Sequence, residues 1–325
     1  MKINLKFNPL LFQASLAAGG VALMAFNFLQ FSIPHEKGLV VISDIMWNSF
    51  SLFEFTKNMI LVGIMLLFVI IHFVLTFIFL AKLIKWIING KEMNDLIGDP
   101  YKNVWLFVPI SSLAMSANVF WGSLGFFISD ISSKLQSYML PSMVLFGLLL
   151  VSLLILEMKA LKIWLSKEID RSKFNFVWLL DVFSFALVSL TGSGIAAMSI
   201  NSRIASMAAF LSLVTISIGI ILFVIKIIYL VYLQIKAGKL PEDSIIPSFF
   251  LVIPIMCLFG LSLYRIFSFC GVFLNIELKG LSFIVLIFSY IVTIAWGVFV
   301  VYLIIDYFKN KFIKSDFAPT QWGMV

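Results

Sequence analysis

The sequence predicts an all-α membrane protein of eight transmembrane helices arranged as four helical hairpins. Three observations predict it. First, 62% of the 325 residues are hydrophobic and only 12% are charged, with a mean hydropathy of +1.10. About 25% charged residues is usual for a soluble domain, so a water-facing surface cannot be built here. Second, apolar runs long enough to cross a bilayer, about 20 residues each, recur along the whole chain. Third, the basic residues alternate in density between successive loops.

The predicted spans run at approximately 8–32, 58–84, 104–129, 138–165, 176–199, 204–234, 246–272 and 281–307 within a single polytopic domain, 1–325. Several exceed the minimum length, which implies tilt or extension beyond the bilayer. Lys2 and Lys6 ahead of an apolar stretch resemble a signal peptide, but equally apolar spans follow, so the first is read as a membrane helix.

Basic residues orient these spans. With the N-terminus cytoplasmic, the inside set is Lys2, Lys6, Lys82, Lys85, Lys91, Lys102, Lys159, Lys162, Lys167, Arg171, Lys173, Lys226, Lys236, Lys239, Lys309, Lys311 and Lys314. The outside set is only Lys37, Lys57, Lys134, Arg203 and Lys279. This bias holds loop by loop and satisfies the positive-inside rule. The chain is expected to lie in a cell inner (plasma) membrane. The net charge of +7 thus reads as topology; no basic stripe interleaved with aromatics suggests nucleic acid.

Odd and even spans differ in composition. Span 1 holds Asn8, Pro9, Gln13, Ser15, Gly19, Gly20 and Asn27; span 3 holds Pro109, Ser111, Ser112, Ser116 and Asn118. Span 5 holds Asp181, Ser184, Ser189, Thr191, Gly192, Ser193 and Gly194; span 7 holds Pro247, Ser248, Pro254, Gly260, Ser262 and Arg265. Spans 2, 6 and 8 lack proline and are runs of Leu, Ile, Val and Phe; span 4 has only Pro141, near its start. Lipid offers no hydrogen bonds, so polar side chains must face protein or a watery cavity. The odd spans are therefore expected to form an inner layer around a central pore, with the even spans outside. Gly and Ser as close-packing residues are the competing explanation.

The odd spans open near 8, 104, 176 and 246, and the last two intervals are 72 and 70 residues. The openings "FNPLLF", "DPYKNVWLFVP", "FNFVWLLD" and "IIPSFFLVIP" look related. A further step of about 72 reaches "DFAPTQWGMV" at the chain's end, which reads as the opening, 317–325, of a fifth inner span.

The segments "NPLLFQASLAAGG", "VPISSLAMSANVFWG", "PSFFLVIP" and "APTQWGMV" resemble the tellurite-resistance/dicarboxylate transporter family. That family includes the slow anion channels of plant guard cells, in the voltage-dependent anion channel superfamily. The resemblance covers essentially the whole chain. It implies ten spans in five hairpins, odd helices lining a pore, and a homotrimer. It implies transport of small anions: dicarboxylate, sulfite, halide (chloride), nitrate, or a tellurium or selenium oxyanion. The gating phenylalanine of that family lies on its ninth helix and matches no residue here. The five-hairpin pattern is thus truncated, and the reading frame is expected to continue past Val325, for example through a UGA codon read as selenocysteine. A truncated or non-transporting membrane scaffold is the alternative.

Candidate pore residues are Gln13, Ser15, Pro109, Ser111, Ser112, Asn118, Asp181, Ser184, Ser189, Pro254 and Arg265. Asp181 lies about 8 Å into span 5 at 1.5 Å per residue, and Arg265 in the outer part of span 7. Ionisable residues within spans default to functional candidates. Arg265 either attracts anions at the outer mouth or snorkels to the headgroups. Asp181 either binds a proton or caps a neighbouring helix; a direct pair between the two is not expected, because their depths differ. Neutral hydroxyls and the Asn118 amide suit weak anion binding or, equally, interhelical hydrogen bonds. Pro109 and Pro254 are expected to kink their helices. By the resemblance, Phe12, Phe107, Phe183 and Phe249 are possible constrictions.

No enzyme, cofactor or metal is expected. His35 and His72 lack ligand-spaced partners, and Cys257 and Cys270 form no CxxC pair. "GSG" at 192–194 lies inside a span, and no nucleophile elbow or phosphate loop occurs.

Overall fold

The computed structural model describes residues 7–36, 38–312, 314 and 317–324. Lys2, Lys6, Lys37 and Val325 lie outside the described residues. Eight helices are long and apolar enough to cross a membrane: α1 Pro9–Ser32, α2 Leu52–Asn89, α3 Asn103–Phe127, α4 Leu135–Ser166, α5 Phe176–Met198, α6 Ser202–Ala237, α7 Ile246–Phe273 and α8 Lys279–Leu303. No strand occurs among the described residues.

The helix ends follow local chemistry. Asn8 Oδ1 accepts from Leu10 N at 2.9 Å, with Pro9 in the first turn. Ser51 and Glu54 form a capping box at α2, so each satisfies a backbone N–H that has no helical partner. Asn175 caps α5 through Val177 N, and Asn201 caps α6 through Arg203 N and Ile204 N. Gly90 (φ 68°) and Gly238 (φ 63°) follow the last turns of α2 and α6. That left-handed backbone is cheap only without a Cβ.

All four odd spans open with a 3-10 segment: Pro9–Leu11, Asn103–Phe107, Phe176–Leu179 and Ile246–Leu251. The C-terminal Pro319–Met324 is also a 3-10 helix. Pro109 and Pro254 sit just past such openings, in the first residues of the regular α segments Val108–Val119 and Val252–Phe273. There a missing N–H breaks no mid-helix ladder. Both prolines thus stand where the 3-10 opening gives way to regular α-helix. Within α3 a π-helical turn follows at Phe120–Leu124.

Burial separates the two sets of spans. The least buried odd span, α7, has 56% of its apolar window covered, whereas the most buried even span, α4, has 39%; α5 reaches 89% and α8 only 11%. Large apolar side chains on the even spans, such as Ile70, Phe77, Leu148 and Phe283, are exposed. A belt of this size is unsustainable in water and matches lipid. Each odd span packs on the even span that follows it. The odd spans also pack on one another in chain order, α1 on α3, α3 on α5 and α5 on α7. The Pro319–Met324 helix touches both α1 and the opening of α7.

The loops gather on two faces. On one, Trp164 Nε1 donates to Pro100 O at 2.9 Å, Lys167 Nζ to Gly98 O at 3.2 Å, and Lys311 Nζ to Asp243 at 2.8 Å. This is the basic face. On the other, the Gln136 amide bonds Met198 O and Ile200 N.

Candidate functional site

Small residues let the odd spans approach each other, and short polar side chains then bond across the seams. Ser15 Oγ meets Ser112 Oγ at 2.7 Å, joining α1 to α3. Ser111 meets Ser184 at 2.5 Å and Asn118 Nδ2 donates to Thr191 Oγ1 at 2.8 Å, joining α3 to α5. Ser189 meets Ser262 at 3.1 Å, joining α5 to α7. The last three pairs each lie 73 residues apart in the chain, and the stacked rings of Phe176 and Phe249, 4.2 Å between centroids, share that separation. A repeat interval read as 72 and 70 in the sequence thus becomes one common register, with equivalent residues of successive units touching.

These hydroxyls and the amide are occupied with one another. Ser15, Ser111, Ser112, Ser184 and Ser189 have no exposed surface, and Asn118 is buried. Asn118 Nδ2 also donates to Ala114 O at 2.9 Å, and Ser184 Oγ to Phe107 O at 3.1 Å. A second seam joins α1, α2 and α3: His72 Nδ1 bonds Ser15 O at 2.6 Å, and His72 Nε2 lies 2.9 Å from Ser116 Oγ. An outer-span histidine is therefore part of the inner polar network, a role that spacing alone did not reveal.

A cavity of about 470 Å³ runs alongside these seams. Its wall is Gln13, Leu16, Ala17, Gly20, Leu23, Met24 and Asn27 of α1, Met115 of α3, and Leu180, Phe183, Leu187 and Leu190 of α5. Leu251, Pro254, Cys257, Leu258 and Leu261 of α7 complete it, with Trp322 and Gly323 at the basic-face end. From Gln13 to Asn27 the α1 wall extends about 21 Å at 1.5 Å per residue, so the cavity is elongated along the spans. Of the candidate residues, Gln13, Pro254 and Phe183 lie on this wall; the serines, Asn118, Asp181 and Pro109 do not. Phe12, Phe107 and Phe249 are buried away from it; Phe12 packs edge-on against Phe79, 5.6 Å between centroids.

Arg265 lies one turn beyond Leu261, the α7 wall residue farthest from the basic face. Its Nη1 donates to Leu190 O at 3.1 Å and sits close to Gly194. The side chain turns inward against α5 instead of snorkelling. Among the described residues it has no carboxylate partner within 4 Å.

Asp181 forms a buried ion pair with Lys226 of α6, a partner that the sequence reading did not foresee. Asp181 Oδ1 also accepts from Val182 N at 2.6 Å. Lys226 Nζ donates to Trp178 O at 3.1 Å and lies 4.3 Å from the ring centroids of both Trp164 and Trp178. Lys226 is 2% exposed, so its assignment to the cytoplasmic charge set is corrected; it is an interior cation. Glu157 of α4, buried nearby, was missed because it sits among the loop-facing charges at the end of span 4. Both its carboxylate oxygens lack a hydrogen-bond partner in the structure. The leucines of the wall were missed as well, since nothing in the sequence distinguishes them from packing residues; Asn27, noted among the polar residues of span 1, was not carried into the pore set.

No group of three or more His, Cys, Asp or Glu side chains suited to a metal ion occurs among the described residues. Residues 6–325 match the family model described as voltage-dependent anion channel. No curated protein and no solved structure gives a significant match. With eight apolar spans and a family match along nearly its entire length, the chain is a multi-pass membrane protein that belongs to the voltage-dependent anion channel family, a family of anion channels and transporters.

Proposed function

We propose that small anions cross the membrane along the elongated cavity between α1, α3, α5 and α7, with Arg265 as the attracting charge at one mouth and Phe183 as the constriction. One observation carries this reading: beside a cavity bounded by all four odd spans, and bonded to Leu190 of its wall, stands a cation without a carboxylate partner among the described residues. The wall offers the amides of Gln13 and Asn27 among apolar side chains. Such a lining holds an anion weakly enough to release it, as conduction requires. The polar pairs Ser15–Ser112, Ser111–Ser184, Asn118–Thr191 and Ser189–Ser262 support the path from behind by fixing how the inner spans meet.

The substrate classes are those of the family resemblance: halide, nitrate, sulfite, a dicarboxylate, or a tellurium or selenium oxyanion. The loop charges support a cytoplasmic N-terminus in a cell inner membrane. Assembly as a homotrimer follows the same resemblance. The role is transport without catalysis or a bound cofactor.

Proteoliposomes loaded in turn with each of these anions test the proposal. Anion efflux above that of empty liposomes, reduced by Arg265→Ala, is expected. Efflux of no anion in the panel, from protein shown to be folded and inserted, overturns it.

A further inference from the structure

We propose that the cleft between α4 and α6 at the basic face binds an acidic phospholipid of the surrounding bilayer. The cleft has a volume of about 700 Å³ and lies apart from the anion cavity, so the proposal rests on the membrane placement of the chain and not on the conduction path.

Its lining is layered as an anionic amphiphile is layered. Deepest in the span region are Leu161, Leu222 and Ile225; Ile225 is open to lipid and suits an acyl chain. Above them come Trp164, Trp178 and Tyr229. Trp164 and Trp178 meet edge to face at 5.1 Å, and Tyr229 lies 6.2 Å from Trp178. Tryptophan and tyrosine favour this headgroup level of a bilayer. At the rim are Lys167, Arg171 and Glu168.

Charge complementarity selects the occupant. Arg171 has no carboxylate within 4 Å among the described residues, and the Lys167 ammonium is bonded only to a neutral carbonyl, Gly98 O. The neighbouring Asp170 is already engaged by Ser172 and Lys173. Glu168 at the same rim opposes an anion, leaving one net positive charge there. The indole N–H of Trp178 adds a donor that is shielded from water and has no partner in the structure. A phosphate ester supplies an acceptor for this donor and the anionic partner that the two cations lack, while its chains cover the apolar floor. Zwitterionic lipid satisfies the apolar layer equally but carries its own cation to the rim.

The occupant also touches the interior. Lys226 contributes to the cleft's floor and pairs with Asp181, which lies between Leu180 and Phe183 of the anion cavity's wall. A lipid seated there buttresses the segment of α5 that carries the constriction.

Tryptophan quenching by lipid brominated on its acyl chains tests this in the full-length protein. In mixed micelles, brominated phosphatidylglycerol is expected to quench the wild type at a lower lipid fraction than brominated phosphatidylcholine. Arg171→Gln should raise the phosphatidylglycerol requirement about fivefold, the effect of one interfacial cation. Lys236→Gln, which removes a basic-face lysine outside the cleft, should leave it unchanged. Equal quenching of the wild type by the two lipids overturns the proposal without reference to any variant. An equal shift for Lys236→Gln and Arg171→Gln also overturns it, because the preference then belongs to the whole basic face.

Discussion

Asp181 on α5 and Lys226 on α6 form a buried ion pair, with 0% and 2% of their side chains exposed. Two aromatic faces and a backbone carbonyl complete the lysine's surroundings. Removing one partner of such a pair leaves an uncompensated charge in a low dielectric, which costs about 3–5 kcal/mol. Asp181→Asn and Lys226→Met should each lower unfolding stability in detergent by that order. Glu157 beside them has no cation of its own, so Glu157→Gln should be at least as stable as the wild type. A Lys226→Met protein as stable as the wild type contradicts the assignment.

Two adjacent glycines in α1 make opposite predictions. A Cβ at Gly19 falls 2.5 Å from Met115 Cγ and 2.8 Å from His72 Nδ1, whereas one at Gly20 meets nothing within 4 Å. Overpacking at Gly19 displaces the histidine that ties α1, α2 and α3 together. Gly19→Ala should cost about 1–3 kcal/mol, and Gly20→Ala should be neutral or slightly stabilising through helix propensity. Thermal unfolding of the two variants side by side checks the contrast.

Asn118 spans the seam between α3 and α5 through Thr191 and has no place on the cavity wall. Asn118→Leu should therefore reduce stability by about 0.6 kcal/mol, the mean for interhelical hydrogen bonds in membranes, and by no more than about 1.7 kcal/mol. Efflux per folded molecule should change little. A selective loss of efflux with unchanged stability would return Asn118 to the conduction path.

Arg265 acts on this account through its charge at a mouth. Arg265→Gln should slow anion efflux about tenfold at low ionic strength. The gap to the wild type should narrow as salt screens the field, and Arg265→Lys should retain most of the rate. Initial rates across a salt series distinguish this from a packing defect, whose effect is insensitive to salt.

The layering of the fold was legible because bilayer physics writes it into composition. Serine, glycine and amides collected in the odd spans and long aliphatic runs in the even ones, and burial divides along the same line. The identity of the cavity wall was not legible. Polar residues marked the seams between inner helices, where hydroxyls satisfy each other, and the wall beside them is largely leucine. Lys226 was misplaced for a related reason. A lysine in the last third of a 36-residue helix was counted with the loop charges, and only the fold brings Asp181, 45 positions earlier, against it.

Filling the cavity tests the central claim most directly. Gly20 lines it and faces open space, while Gly63 on α2 also faces open space but lies on an exposed outer surface. Anion efflux from proteoliposomes should be abolished by Gly20→Phe, whose ring enters the cavity without displacing the helix, and should survive Gly63→Phe. Wild-type efflux from a folded, inserted Gly20→Phe protein would contradict passage of anions between the odd spans.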